Sequence, residues 1–169
     1  MSNLIIRPAV FADIAAIARI HCQCWKETYA GLIDQSYLDN LSPARTQARM
    51  EAETSRQFLV AELDGEIVGF ASPIRSRDQD ASPSIGEIQA IYLLQRCQHQ
   101  GIGRALMEES LKELLRMGMD EVTLWVLDTN CNVIRFYQKC GFAADGAIKS
   151  DTIRNFTINE VRMRKSLSV

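Results

Sequence analysis

The chain has 169 residues, 47% hydrophobic and 24% charged, with a formal net charge of −2. That size and composition fit one domain with a buried core, and the near-neutral balance gives no general attraction to nucleic acid or to an anionic membrane. No apolar run reaches the roughly 20 residues a membrane helix needs, the start has no basic leader followed by an apolar block, and five irregularly spaced cysteines fit a cytoplasmic protein with reduced thiols.

In chain order, residues 3–7 read as a short strand closed by Pro8. Asp13 opens a helical pattern in which Ile14, Ile17, Ala18 and Cys22 recur at helical spacing, running toward Trp25. On that helix His21 and Cys24 share a face, but no second ligand pair stands elsewhere at zinc-like spacing. Cys22 and Cys24 are therefore read as ordinary buried thiols, and no metal is expected. The pattern breaks around Gly31, and a second helix is expected over residues 35–53, where Ser42-Pro43 fits an N-cap followed by a first-turn proline.

Residues 57–63 are branched and apolar and read as a strand. Asp64-Gly65 is a strong hairpin signal, and residues 66–74 supply the return strand. Residues 75–84 form a polar loop containing Pro83, and residues 86–94 another strand. A helix over about 101–117 carries the apolar stripe Ile102, Ala105, Leu106, Leu111, Leu114 and Leu115, and Gly118 stops it. Residues 121–127 form a strand, 128–130 a turn, and 131–141 a short helix ended by Gly141. The alternation over 157–164 gives a last strand. No repeat, low-complexity segment or linker interrupts this order, so the expectation is one domain over residues 1–169. The strand–helix–strand unit over 86–127 favours a parallel pair, and the remaining strands favour antiparallel pairing. The outcome is an α/β fold, a mixed and mostly antiparallel sheet with helices on its faces.

Gly101 and Gly103 stand where the 101–117 helix begins, although each glycine costs a helix roughly 1 kcal/mol relative to alanine. A helix start exposes unpaired N–H groups and the positive end of the helix dipole. Phosphate binds at such places, and glycine lets it approach the backbone. Arg96 and Arg104 flank the stretch and offer charge-assisted contacts, so Gln98 to Arg104 is a candidate pyrophosphate cradle. A P-loop needs Lys and Ser or Thr after its last glycine, and the dinucleotide fingerprint needs a glycine at position 106. Here Arg104, Ala105 and Leu106 stand instead. A helix that merely tolerates two glycines is the alternative.

The stretch Gln98-His99-Gln100-Gly101-Ile102-Gly103 resembles the Q/R-x-x-G-x-G/A signature of the GCN5-related N-acetyltransferases. The preceding Gly86-Glu87-Ile88-Gln89-Ala90-Ile91-Tyr92-Leu93-Leu94 and the later run from Thr123 through Asn130, Phe136, Tyr137 and Gly141-Phe142 extend the likeness over most of the chain. Gln95, where members often have proline, and Val133, where alanine is frequent, depart from the pattern.

The resemblance implies the acyl-CoA N-acyltransferase fold, in which two parallel strands splay apart and acetyl-CoA enters the gap. The backbone of Ile91, Tyr92 and Leu93 would then pair with the pantetheine arm. Gln98, His99, Gln100, Gly101, Ile102, Gly103 and Arg104 would hold the pyrophosphate, and Asn130 would hydrogen-bond the arm. Tyr137 would stand near the sulfur as general acid. The implied activity is acetyl transfer from acetyl-CoA to a primary amine of a small molecule or peptide, through a tetrahedral intermediate. Acetyl-CoA is the expected co-substrate and an amine the expected partner, with no nucleic acid or membrane; a homodimer is common for such proteins.

Several residues carry two readings. Strand alternation puts Glu87, Gln89, Ile91 and Leu93 on one face, so Glu87 is the candidate base that takes the amine's proton; the alternative is a solvated glutamate at a strand start. Asp128 is a weaker candidate, better suited to a turn. Tyr137 is either the acid or a core tyrosine beside Phe136. Trp25 and Tyr29, four apart on one helix face, either line the acceptor pocket or only pack. At the level of function, the alternative to an enzyme is a non-catalytic acyl-CoA sensor or interaction module, and a nucleotide-binding protein using the same loop is a third reading.

Overall fold

The computed structural model describes residues 3–53, 57–153 and 156–167. The first half contains β1 (Leu4–Pro8), α1 (Ile14–Tyr29), α2 (Gln35–Asp39), α3 (Pro43–Ala52), β2 (Leu59–Leu63) and β3 (Glu66–Arg75). The second half contains β4 (Ile85–Leu93), α4 (Ile102–Arg116), β5 (Glu121–Leu127), α5 (Cys131–Lys139), β6 (Ala143–Ile153) and β7 (Phe156–Ser166). The strands form one seven-stranded sheet in the order β1-β2-β3-β4-β5-β7-β6. β4 and β5 pair in parallel, as expected of the strand–helix–strand unit, and the other described neighbours pair antiparallel.

Hydrophobic periodicity explains the packing. Ile17, Ala18, Ile20 and Cys24 of α1, Val60, Val68 and Phe70 of the sheet, and Ile102 and Leu106 at the start of α4 belong to one apolar cluster. A second cluster joins Met107 and Leu114 of α4 to Val122, Leu124, Tyr137 and Met163. Helices α1 and α4 both pack on β3 and β4. Asp64 and Gly65 turn the β2–β3 hairpin at φ 52° and 86°, the left-handed pair that a tight primed turn requires.

Two expectations need correction. The helix expected over 35–53 is two helices. The Asn40 amide bonds back to the Ser36 carbonyl at 2.7 Å, and the Ser42 hydroxyl accepts from the Arg45 N–H at 3.3 Å. Pro43 restricts the residue before it to extended backbone, so a break precedes it and α3 starts afresh. The other correction is β6, a strand that the residue pattern does not announce. Its first residues, Ala-Ala-Asp-Gly-Ala, have no apolar alternation; pairing with β7 makes the strand, with an irregularity between Ala144 and Ile148.

Candidate active site

The parallel pairing of β4 and β5 covers only Ile85↔Glu121, Gly86↔Val122 and Glu87↔Thr123. Both strands continue beyond it, β4 through Ile88–Leu93 and β5 through Leu124–Leu127. The strands therefore diverge and leave a cleft of about 410 Å³ between them. Ile91, Tyr92 and Leu93 line one wall, and Trp125, Val126 and Leu127 the other. Buried backbone N–H and C=O groups need partners, so a strand edge opened in this way is a place for an extended ligand to pair. On its far side β4 is paired with β3, and the register slips so that Ser72 faces Ala90 while Pro73 faces Ile88. Gln89 is the extra residue of this bulge, and it lines the cleft.

Helix α5 closes the cleft at the β5 end. Asn130 caps it, its Oδ1 accepting from the Val133 N–H at 3.4 Å, and both residues line the cleft together with Tyr137. Tyr137 is buried between Phe136 and Phe142, with ring centroids at 5.5 and 6.1 Å. Burial, with Tyr29 and Cys140 nearby, pushes its phenol well above the ordinary range. It therefore keeps its proton at neutral pH.

Helix α1 supplies the third side. Tyr29 lines the cleft with Cys24, Glu27 and Thr28. Burial raises the Tyr29 phenol and pushes the Cys24 thiol up to about 12, so Cys24 is a neutral wall rather than a nucleophile. Trp25 stands behind that wall. It packs at a tilt against Tyr29, ring centroids 4.6 Å apart, and donates its indole N–H to the Tyr92 hydroxyl at 3.0 Å. Of the two aromatics expected to line an acceptor pocket, Tyr29 does and Trp25 holds it in place.

Below the cleft the chain turns into α4. Gln98 lines the cleft and donates from its amide to the Leu93 carbonyl at 3.3 Å, and Gln100 donates to the Arg96 carbonyl at 3.1 Å. His99 holds φ 61° and Gly101 φ 81°, which folds the loop back on itself. Ile102 is buried and anchors the first turn, while Arg104 pairs with Glu108 at 2.8 Å. Side chains cap α2, α3 and α5, from Asp34, Ser42 and Asn130 respectively. The head of α4, at Gly101, has no side-chain cap, as is also true of α1, so its first amides have no capping side chain as partner. Gly103 has no steric obligation within the fold: a β-carbon there would meet Phe136 at 3.7 Å and Leu93 at 3.8 Å, ordinary contacts.

The structure does not bring Glu87 to the cleft. Its side chain is 3% exposed, which also removes the reading of a solvated glutamate. Its carboxylate accepts from the Arg77 guanidinium at 2.7 Å and from the Arg77 backbone N–H at 3.1 Å. The bulge at Gln89 interrupts the alternation that had put Glu87 on one face with Ile91 and Leu93. Two carboxylates do line the cleft, Glu27 of α1 and Glu160 of β7. The second was legible in part, since alternation over 157–164 sets Glu160 and Arg162 opposite Val161 and Met163. Nothing in the sequence signals that β7 lies beside β5. A second depression, of about 510 Å³, lies over α2 and α3 around Tyr37, Arg45 and Arg49; none of the expected site residues lines it.

The sequence model of the Acetyltransferase (GNAT) family matches residues 14–142. The uncharacterized N-acetyltransferase YuaI of Bacillus subtilis (strain 168) is 36% identical over 136 residues, 79% of this chain and 76% of that protein. The spermidine N(1)-acetyltransferase of Thermoplasma acidophilum is 25% identical over 156 residues, 88% of this chain and 93% of that protein. Among solved structures, yncA of Salmonella typhimurium with its cofactor acetyl-CoA superposes with a TM-score of 0.75 at 25% identity, covering 98% of this chain and 94% of that one.

Proposed function

The chain belongs to the Acetyltransferase (GNAT) family and is an acetyl-CoA-dependent N-acetyltransferase, and on that premise we propose direct transfer of the acetyl group to a primary amine bound in the β4–β5 cleft. The observation that carries the reading is the end of strand pairing at Glu87↔Thr123, beyond which the open β4 edge faces Tyr137 across the cleft. The residues present fit acetyl-CoA. The uncapped head of α4 suits a pyrophosphate, Gly101 keeps a β-carbon out of its way, and the open edge of Ile91–Leu93 suits a pantetheine amide. The Asn130 oxygen is engaged in its helix cap, and its amide N–H₂ is a donor group for the arm's carbonyls.

Acetyl-CoA supplies the acyl group as a thioester. Attack by a neutral amine generates a tetrahedral oxyanion, which a backbone N–H of the bulged β4 edge stabilises. Tyr137, protonated throughout the neutral range, gives a proton to the departing thiolate. The amine's own proton leaves through water in the cleft, with Glu27 as the carboxylate on the α1 side. Glu87 is assigned a positioning role: through Arg77 it ties the β3–β4 loop to the start of β4. Acylation of amines by family relatives, among them the spermidine N(1)-acetyltransferase named above, supports this acceptor class. A cytoplasmic location follows from the same reading.

The test is release of free CoA thiol from acetyl-CoA across a panel of amines, with mass spectrometry of the acetylated product. Binding of CoA without turnover of any amine would favour an acyl-CoA-binding module instead. Stabilisation by ATP or NAD but not by CoA would overturn the reading.

A further inference from the structure

At the β7 side of the cleft a cation already has a seat, and it belongs to the protein itself. The Lys149 ammonium of β6 lies 4.5 Å above the centre of the Trp125 ring and 3.1 Å from Glu160 Oε2. Register explains the meeting. Lys149 pairs directly with Glu160, Glu160 with Leu127, and Trp125 with Arg162. Residues directly opposite one another, and residues two apart in a strand, share a sheet face, so the three side chains stand on one face. Trp125 and Glu160 both line the cleft. Lys149 does not, and its side chain is 46% exposed. The seat is thus part of the cleft, while its occupant reaches in from the rim.

We propose that this seat binds a non-reacting ammonium of the acceptor, which displaces Lys149, and that the acceptor is a diamine or polyamine rather than a monoamine. The proposal rests on the acetyltransferase reading above and deepens it. An aromatic face with a carboxylate beside it recognises an alkylammonium through cation–π attraction and ion pairing. Among the described residues, the two charged ones that line the cleft, Glu27 and Glu160, are both acidic, and the Arg162 guanidinium 5.6 Å from the Trp125 ring centre is already neutralised by Asp78, Asp80 and Asp145. The reacting nitrogen must shed its proton before it can attack. The Glu160–Trp125 seat favours the protonated form, and so it suits the nitrogen that does not react. The two nitrogens are then separated by the span from this seat to the β4 edge, which gives the acceptor a preferred length. Lys149 keeps the seat charge-balanced when no acceptor is bound, and the second ammonium of a dication must displace it.

The experiment compares α,ω-diaminoalkanes of increasing length with n-alkylamines of matched length. Both kcat/KM and calorimetric binding to the CoA-loaded protein are measured. In the wild type, the best diamine is expected to exceed its matched monoamine by about tenfold or more in kcat/KM, the size of one desolvated cation–π and ion-pair contact. Glu160→Gln should shrink that ratio toward one while leaving CoA affinity where it was. Lys149→Met should change it in the opposite direction, because a competitor is gone; a purely structural role for the trio would lower the ratio in both variants. Equal turnover of diamine and monoamine overturns the proposal and leaves acetyl transfer standing. If no amine is acetylated, the transfer reading fails by itself. The calorimetry then decides this point: diamine binding weakened by Glu160→Gln upholds the seat, and no diamine binding removes it.

Discussion

The indole N–H of Trp125 donates to Asp78 Oδ1 at 3.0 Å, which ties the β5 wall of the cleft to the loop between β3 and β4. Arg162 completes the tie. Its guanidinium is 8% exposed and reaches Asp78 at 3.1 Å, Asp80 at 2.7 Å and Asp145 at 2.7 Å. One buried cation from β7 therefore gathers the loop, the Trp125 anchor and the first part of β6.

Removing that cation leaves Asp78 with the Trp125 N–H and Asp145 with Arg164 at 3.2 Å and the Ala147 N–H as partners. Breaking a buried ion pair from one side commonly costs 3–5 kcal/mol, and exposure of Asp80 (62%) lowers the expectation here. Arg162→Met is expected to lose about 2–3 kcal/mol in urea denaturation at neutral pH. Tryptophan emission should report a changed environment at Trp125. A loss below about 0.5 kcal/mol would show that the network does not hold the loop.

The glycines of the cradle separate stability from binding. Gly103 has ordinary φ and room for a methyl group, so Gly103→Ala should leave the apo protein as stable or up to about 1 kcal/mol more stable. It should leave acetyl-CoA affinity nearly unchanged, because the family signature admits alanine at this position and the methyl group packs on Phe136 and Leu93. Gly101→Ala differs: φ 81° strains any side chain, so stability should fall by about 1 kcal/mol, and its β-carbon would enter open space at the loop and weaken CoA binding by about tenfold or more. Calorimetry with CoA, alongside thermal denaturation of both variants, checks the contrast. Unchanged affinity in Gly101→Ala would remove the loop from the cofactor site.

Tyr137→Phe keeps the ring that packs against Phe136 and Phe142 and deletes only the hydroxyl. The fold and CoA affinity should be preserved. Turnover should fall by on the order of a hundredfold or more, the usual size of a lost general acid. Single-turnover thiol release measures it, and wild-type rates in the variant would exclude Tyr137 from the chemistry.

What the sequence makes legible follows from how local each signal is. The 101–117 helix, the Asp64-Gly65 hairpin and the Ser42 cap depend on neighbours a few residues away, and each stands where the pattern puts it. The open β4 edge was reachable only through the likeness to a family. β6 escaped because an exposed strand is made by its partner, not by its own periodicity. Glu87 was misplaced because a bulge inserts one residue into an alternation that sequence alone presents as unbroken. Trp125, Glu160 and Lys149 come together only because β7 lies between β5 and β6 in the sheet, a non-local fact that no spacing encodes.

Acid stability should report the junction of β1 and α1. The Arg7 guanidinium bonds Asp13 at 2.7 Å and, helped by the Val10 N–H, holds the Asp13 carboxyl below the usual carboxylate range against the opposing effect of burial. A lowered folded-state pKa means that its stabilisation is fully present above the unfolded value near 3.9. That stabilisation is lost as pH falls through the lower folded value. Urea midpoints measured from pH 6 downward should therefore decline below about pH 4. Asp13→Asn should be less stable at neutral pH by about 1 kcal/mol, with a shallower acid decline. An identical acid slope in both proteins would show that the pair contributes nothing.

Glu87 distinguishes positioning from proton transfer. Bound to Arg77 through its guanidinium and its backbone N–H, the carboxylate orients the loop that also carries Asp78 and Asp80. Glu87→Gln retains an oxygen that accepts from the Arg77 N–H, and it removes the charge and any capacity to act as a base. If the residue only positions the loop, kcat should fall less than about tenfold, the pH profile of kcat/KM should keep its shape, and most of the effect should appear in KM for the amine. A general base is different: its loss costs on the order of a hundredfold to ten-thousandfold in rate and flattens the acid limb of the profile. The parallel variant Glu27→Gln, on the cleft wall itself, is expected to show the larger fall in kcat. A flattened acid limb in Glu87→Gln, with Glu27→Gln unaffected, would return the base to β4 and require the Arg77 pair to open during turnover.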